Sequence, residues 1–246
     1  MREGAAFRTD PRLLEASGLR LSKQGVALLN IDKLVLDGAG PTLILGPNGA
    51  GKSLLLRCLH GMIQPDAGEV RQGGRRLDSL ACGRQAMVFQ QPVLLRRTVQ
   101  ANLDYVLRRQ GLSRMARAER CAELLDMGGL APRARQWARS LSGGEAQRLA
   151  VLRALACDPE ILFLDEPSSA LDPASTKAVE ALVRQAHERG TRVVMVTHDV
   201  GQARRLAGDV LVLHRGEVME HTPAAEFFDR PRSRAARCFL EGRLIL

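Results

Sequence analysis

The chain has 246 residues, 45% of them hydrophobic and 26% charged, which is the balance of a globular protein and excludes a disordered or fibrous one. Its formal net charge is +9, and its five scattered cysteines contain no C-x-x-C pair, which argues against a disulfide framework or a zinc site. Residues 38–51 are uncharged but too few and too rich in glycine to span a membrane, and the polar N-terminal residues precede no signal-type apolar segment. We therefore expect any membrane contact to be peripheral.

The first elements in chain order are predicted to be strands. After a loose, mixed-charge lead over residues 1–15, we expect short strands of an edge sheet within 19–36 and 69–77. The apolar run Thr42–Leu45 predicts a buried strand, and a mainly helical insert follows from about residue 93 to 140. This part of the chain therefore combines an edge sheet with the first strand of a core.

Strands and helices alternate in the second half of the chain. A helix is expected at 114–127, and strands at 160–164 and 192–196 enclose a helix at 174–189. A last β segment covers 210–218. This βαβ order implies a parallel sheet flanked by helices, so the predicted fold class is α/β.

The stretch after the strand Thr42–Leu45 fits the phosphate-binding pattern G-x-x-x-x-G-K-[ST] at every required position. Its residues are Gly46, Pro47, Asn48, Gly49, Ala50, Gly51, Lys52 and Ser53. Glycines let backbone N–H groups surround a phosphate, Lys52 can reach the terminal phosphates, and the Ser53 hydroxyl can bind magnesium. A glycine-rich turn that only joins strand to helix is the alternative, but the flanking elements favour a nucleotide site.

Two neighbouring carboxylates, Asp165 and Glu166, follow the apolar strand at 160–164. In a nucleotide site, Asp165 can hold magnesium directly or through water, and Glu166 can polarise an attacking water. Paired acids at the end of a strand can also be structural. The pair indicates hydrolysis only together with the phosphate-binding pattern.

A second helix start has the features of an anion site. Ser142 and Glu145 form a capping box that opens the amphipathic run 146–155, with Gly143 and Gly144 between them. The N–H groups of such a helix start point outward and can bind an anion. An ordinary helix start is the alternative.

The segment Leu141–Glu145 reads Leu-Ser-Gly-Gly-Glu and resembles the signature of the nucleotide-binding subunits of ABC transporters. Gln90 follows the strand at 86–89 as in that family, and Gln91 is the weaker candidate because the family residue comes directly after the strand. The other family marks are Ser169-Ala170-Leu171-Asp172 after the acid pair and His198 within Val196-Thr197-His198-Asp199. The resemblance covers roughly residues 17–230.

The resemblance implies a P-loop NTPase of ABC type, with a parallel core sheet, an antiparallel β edge subdomain and a helical insert at about 93–140. It implies one ATPase domain over residues 16–230, with terminal tails at 1–15 and 231–246. The implied cofactors are ATP and Mg²⁺. The implied activity is ATP hydrolysis coupled to solute import.

The resemblance also assigns roles to individual residues. Ser53, Gln90 and Asp165 are implied as the metal site. Glu166 is implied as the general base, Gln90 as the sensor of the metal and the attacking water, and His198 as the residue that positions this water and stabilises the phosphoryl charge. The residues implied in binding ATP are Gly46, Pro47, Asn48, Gly49, Ala50, Gly51, Lys52, Ser53, Ser142, Gly143 and Gly144.

The family's assembly implies several partners for this chain. Ser142, Gly143 and Gly144 would contact ATP bound to a second copy in a head-to-tail dimer. The dimer would join permease transmembrane subunits at the cytoplasmic face of the inner membrane, as a peripheral subunit. A periplasmic solute-binding protein would be an indirect partner.

The segments 89–99 and 59–61 look like bacterial tungstate importer subunits, so an oxyanion such as tungstate is the expected solute. Molybdate, phosphate or an amino acid is the alternative solute. A non-transport ABC nucleotide switch is the alternative class of function.

Two further features bear on ligands. The family stacks adenine on an aromatic residue before the phosphate-binding loop, but residues 19–26 contain none, so we expect weak discrimination between ATP and GTP. The basic residues are mostly arginines without interleaved aromatics, in clusters such as Arg71, Arg75 and Arg76. We interpret these clusters as solvated faces and expect no nucleic-acid partner.

Overall fold

A β-hairpin opens the part of the chain that the structure, a computed structural model, describes: residues 10–77 and 83–243. Its strands β1 (Leu14–Lys23) and β2 (Val26–Leu36) pair antiparallel. The strands are longer than the predicted ones, because Leu14 is fully buried and pairs with β2 and with the next strand of the sheet. With β4 (Ala67–Gln72) and β5 (Arg75–Arg76), they form a sheet in the order β2-β1-β4-β5. Cys82 lies outside the described residues.

The second sheet is mostly parallel and contains the strands that the apolar runs predict. Its strands are β3 (Thr42–Leu45), β6 (Gln85–Val88), β7 (Ile161–Asp165), β8 (Arg192–Val196), β9 (Asp209–His214) and β10 (Glu217–Pro223), in the order β10-β9-β3-β8-β7-β6. Only β10 is antiparallel to its neighbour. The carboxyl ends of β3, β7 and β8 therefore lie at one edge, where ligands of open α/β sheets bind.

Several helices begin after a residue whose side-chain oxygen caps the first turn. Thr98, Ser113, Ser142, Asp172 and Asp199 each accept a hydrogen bond from a first-turn N–H group, which stabilises the helix start. The α-helices of the described residues are α1 (Lys52–His60), α2 (Val99–Arg109), α3 (Arg114–Met127), α4 (Gly143–Leu155), α5 (Pro173–Glu188), α6 (Val200–Leu206), α7 (Ala224–Asp229) and α8 (Arg234–Leu240). Short 3₁₀ turns occur at Ala131–Arg133 and Ala138–Ser140.

The six-stranded sheet separates two hydrophobic cores, because successive side chains of a strand point to opposite faces. Leu162 and Leu164 of β7 pack with helices α2 to α5, whereas Ile161 and Phe163 pack with α1 and the β1–β2 hairpin. The architecture confirms the predicted α/β class with a parallel core, antiparallel strands and a helical segment after β6. The domain limits stay a prediction, although α8, beyond residue 230, contributes buried Ala236 to the core.

Within residues 10–77 and 83–243, the helices are either too short or too polar to cross a bilayer.

Candidate functional site

The loop between β3 and α1 surrounds a buried ammonium group. The Lys52 side chain donates from Nζ to the carbonyl oxygens of Gly46 and Pro47, at 2.8 and 3.0 Å. Burial lowers the pKa of Lys52, and the nearby carboxylates of Glu166 and Asp165 oppose that shift. A Cβ atom on Gly46 would overlap the carbonyl oxygen of Leu213, so this position requires glycine. The loop thus holds a desolvated cation at its centre.

The first turn of α1 has the geometry of an anion site. Gly51 precedes the helix with φ of +98° and provides no side chain to cap its N–H groups. Those groups and the partial positive charge of the helix N-terminus face the loop that holds Lys52. The uncapped helix start and the buried ammonium group fit the phosphates of a nucleotide.

Ser53 and Asp165 meet at the carboxyl end of β7. Ser53 Oγ donates to Asp165 Oδ1 at 2.7 Å, although 112 residues separate the two in sequence. Arg57 Nη2 lies 3.8 Å from Asp165 Oδ2. A hydroxyl oxygen and a buried carboxylate are the ligand types that Mg²⁺ prefers, so this pair fits the predicted metal. Sequence reasoning missed Arg57, and its signal was the spacing of four residues from Ser53 on one helix face.

Glu166 and His198 form a contact that depends on an unusual backbone. Glu166 has φ of +46°, in the left-handed region that few residues other than glycine adopt, and its N–H donates to Val196 O at 3.0 Å. This turn brings Glu166 Oε2 to 3.2 Å from His198 Nδ1. Because a carboxylate only accepts, we assign the proton to Nδ1. Strained backbone of this kind is concentrated at functional sites.

Gln90 reaches the same edge of the sheet from the end of β6. Its Nε2 donates to Ser169 Oγ at 3.1 Å, and Ser169 lies three residues after Glu166. Gln147 of α4 donates to the carbonyl oxygen of Phe89 at 3.2 Å, which fixes the residue before Gln90. The structure therefore links Gln90 to the acid pair through Ser169.

The capping box at Ser142 forms as the sequence predicts. Glu145 N donates to Ser142 Oγ at 3.3 Å, and Ser142 N donates to Glu145 Oε2 at 2.9 Å. This bond to the Ser142 N–H lowers the pKa of Glu145. Ser142 and Gly143 are exposed, whereas Gly144 is buried, and a Cβ atom on Gly144 would overlap the side chain of Ser175. Among the described residues, no hydrogen bond or ion pair joins Ser142, Gly143 or Gly144 to residues 46–53.

The site has the residues and geometry of a nucleotide hydrolase, and residues 34–169 match the model of the family described as "ABC transporter". The chain belongs to the ABC transporter family. It is 40% identical over 250 residues to the "Phosphate import ATP-binding protein PstB 2" of Natronomonas pharaonis, covering 95% of this chain and 88% of that protein. It is 38% identical over 208 residues to the "Methionine import ATP-binding protein MetN" of Rhizobium etli, covering 81% of this chain. The chain spans 58% of the length of that methionine relative.

Solved structures of other ABC proteins have the same fold. One is a dimeric structure of a post-hydrolysis state of the ATP-binding cassette MJ0796 bound to ADP and Pi, with a TM-score of 0.77, 30% identity and coverage of 86% of this chain and 98% of that one. Another is cbiO1 from Clostridium perfringens, part of the ABC transporter complex cbiONQ, with a TM-score of 0.80, 25% identity and coverage of 88% and 90%. The chain is thus an ABC ATPase with the P-loop NTPase fold.

Proposed function

We propose that this chain is the ATP-hydrolysing subunit of an ABC importer for a small oxyanion. The observation that carries the proposal is the convergence of Lys52, the Ser53–Asp165 pair and the Glu166–His198 pair at the carboxyl ends of three parallel strands. The identity of 40% with a phosphate import protein, over nearly the whole of both chains, supports import of an oxyanion.

The loop residues Gly46 to Ser53 would hold the phosphates of ATP, with the uncapped N–H groups of α1 and the Lys52 ammonium group as donors. Ser53 and Asp165 would hold Mg²⁺, and Gln90 would complete the metal site from the end of β6. Bound Mg²⁺ supplies positive charge that offsets the negative charge of the phosphates. Lys52 adds a second positive charge in a buried setting, where it is less screened than in water.

Glu166 and His198 would act on the attacking water. The Glu166 carboxylate accepts the proton of that water, and His198 orients the carboxylate through the contact at 3.2 Å. Both residues line a cavity of about 440 Å³ that also contains Ser169 and Lys177. The cavity gives the water and the reacting phosphate access to the general base.

The signature segment would complete the site of a second copy. Ser142 and Gly143 are exposed at the start of α4, and within the described part of the chain no hydrogen bond or ion pair joins them to the phosphate-binding loop. A head-to-tail dimer places this helix start against ATP held by the other loop, which explains two anion-binding helix starts in one chain. The solved structure of the ATP-binding cassette MJ0796 is dimeric.

A groove beside β6 would bind the permease at the cytoplasmic face of the membrane. Its cavity of about 420 Å³ is lined by Met62, Phe89, Val93 and Arg153, and the residues Val93 and Met62 are 75% and 51% exposed. Arg153 Nε has no hydrogen-bond partner within the described residues. An amphipathic helix with apolar side chains fits this groove. A periplasmic binding protein would deliver the solute to that permease.

The solute is proposed at the level of its chemistry. Phosphate and tungstate are both tetrahedral oxyanions, and a relative that aligns with 95% of this chain is named for phosphate import. Tungstate stays the sequence-based expectation. An amino acid is the second candidate, because several relatives of 37–40% identity are named for methionine import.

The test is reconstitution of this chain in vesicles with the permease that copurifies with it and the matching solute-binding protein. We expect ATP hydrolysis to rise when the binding protein carries phosphate or tungstate, and to stay at the basal rate with methionine or without solute. Stimulation by methionine alone would replace the oxyanion with an amino acid. A rate of ATP hydrolysis that neither the permease nor any solute-loaded binding protein changes would favour the nucleotide switch instead.

A further inference from the structure

A buried glutamine on α6 contacts both loops that carry the catalytic pair. Gln202 is fully buried, and its Oε1 accepts a hydrogen bond from Thr197 Oγ1 at 2.8 Å. Its Nε2 donates to Ser168 Oγ at 2.9 Å. Thr197 immediately precedes His198, and Ser168 lies two residues after Glu166. One amide therefore joins the neighbours of both catalytic residues.

A buried carboxylate on the neighbouring helix sets the orientation of this amide. Gln202 Nε2 also lies 3.3 Å from Oε1 of Glu180 on α5, and Glu180 is only 1% exposed. Arg205 donates to Glu180 from Nε at 3.0 Å and from Nη2 at 2.6 Å. An ionised carboxylate only accepts hydrogen bonds, so the NH₂ group of Gln202 faces Glu180 and its oxygen faces Thr197.

The contacts form a closed ring through the site. Glu166 connects through the backbone to Ser168, Ser168 bonds to Gln202, Gln202 bonds to Thr197, and His198 returns to Glu166 at 3.2 Å. The ring crosses the residue with positive φ at Glu166, a conformation that costs energy and persists only when its surroundings hold it. Gln202 is fully buried and is the least exposed residue of this ring.

We propose that Gln202 is a positioning residue for ATP hydrolysis, which clamps the turn after Glu166 to the residue before His198. The proposal rests on the roles proposed above for Glu166 and His198. Gln202 touches neither of the reacting groups, and it lies outside the phosphate-binding loop. Its loss should therefore lower kcat and leave the KM for ATP unchanged.

Gln202→Leu tests the clamp, and Gln72→Leu is the matched control. Gln72 of β4 is also a buried glutamine, and its Nε2 bonds to a carboxylate, Glu160, at 2.8 Å, but it belongs to the antiparallel sheet. We expect Gln202→Leu to lower kcat about 10- to 100-fold with KM within about two-fold, the range of effect that misplaced catalytic groups produce. Gln72→Leu should leave kcat within about two-fold of the wild type.

Exchanging the amide of Gln202 with the carboxylate of Glu180 gives a second test. Gln202→Glu places a carboxylate against Glu180, and the repulsion should lower kcat as much as Gln202→Leu does. The double variant Gln202→Glu with Glu180→Gln restores one donor and one acceptor in exchanged places, so it should recover kcat at least about three-fold over Gln202→Glu. No recovery would contradict a role that depends on hydrogen-bond complementarity.

Ser168→Ala keeps the proposal testable if Gln202 variants fail to fold, because Ser168 is only partly buried. This variant should lower kcat about three- to ten-fold with KM unchanged. Normal turnover of Ser168→Ala or Gln202→Leu would contradict the positioning role of Gln202. So would a loss of kcat in Gln72→Leu as large as that in Gln202→Leu. Glu166→Gln, assayed in parallel, separates the two proposals. Normal turnover of Glu166→Gln would contradict both the catalytic role of Glu166 and the role of Gln202. If Glu166→Gln is inactive while Gln202→Leu and Ser168→Ala turn over normally, only the role of Gln202 is contradicted.

Discussion

The two helix starts of this ABC ATPase that are proposed to bind anions differ in how many contacts each makes within its own chain. At the start of α1, Lys52 is buried and bonded to the loop around it, and Ser53 contacts Asp165 of a distant strand. At the start of α4, Ser142 and Gly143 are exposed, and the capping box bonds within itself and, through Glu145, to nearby Arg133. The first helix start is thus enclosed by contacts within the chain, whereas the second offers exposed groups that, under the proposed dimer, would meet ATP bound to another copy.

Lys52→Ala should have the largest effect, because it removes the buried charge at the complete helix start. We expect the ATPase rate to fall at least about 100-fold, the size of effect seen when a preorganised electrostatic group is lost. Steady-state hydrolysis by purified variant and wild type is the measurement. Normal turnover would contradict the assignment of this loop to phosphate binding.

Glu166→Gln should separate ATP hydrolysis from ATP-dependent dimerisation of two copies of the chain. Gln keeps the size and hydrogen bonding of Glu but not its basicity, so hydrolysis should fall about 10²- to 10⁴-fold while ATP binding persists. Size-exclusion chromatography with MgATP and no permease should show a stable dimer.

Ser142→Arg added to Glu166→Gln places a bulky side chain at the exposed helix start, and this double variant should elute as a monomer. Unchanged dimerisation would remove the signature segment from the interface. Undiminished hydrolysis by Glu166→Gln alone would remove Glu166 as general base.

Gly143→Ala and Gly144→Ala should distinguish the exposed from the buried face of the second helix start. A methyl group on Gly144 overlaps Ser175 of α5, so unfolding free energy should drop by about 1–3 kcal/mol. The nearest atom to a methyl group on Gly143 is 4.0 Å away, so stability should change by less than about 0.5 kcal/mol. Urea denaturation measures both. The comparison fails if Gly143→Ala is the less stable variant.

The smallest effect concerns the base of the nucleotide. The wild type should discriminate poorly between ATP and GTP in a competition assay, because residues 19–26 provide no aromatic ring. Val26 is 62% exposed in β2, two residues before Leu28, whose carbonyl oxygen lies close to Gly51. Val26→Tyr should tighten ATP binding about ten-fold if the ring stacks on adenine. A strong preference of the wild type for ATP would show that another residue reads the base.

The two helix starts also show which features of the site can be predicted from the sequence. The phosphate-binding pattern, the capping box and the apolar strands are local, so spacing alone predicts them, and the structure contains each. Gln90 and His198 were predicted as site residues through family resemblance alone, since a single Gln or His after a strand has no local signal, and their roles stay a prediction. The role proposed for Gln202 has no local signal in the sequence, because its partners lie 5, 22 and 34 residues away.

The sequence by itself determined that this chain binds a nucleotide, since backbone conformation and charge within eight residues make a phosphate site. Only the tertiary structure decided which side chains meet. The strand order β3-β8-β7 brings Ser53 to Asp165 across 112 residues and Glu166 to His198 across 32 residues. It also buries Gly144 and leaves Gly143 exposed. Adjacent residues with the same local pattern differ here because burial depends on packing between α4 and α5, which no local pattern encodes.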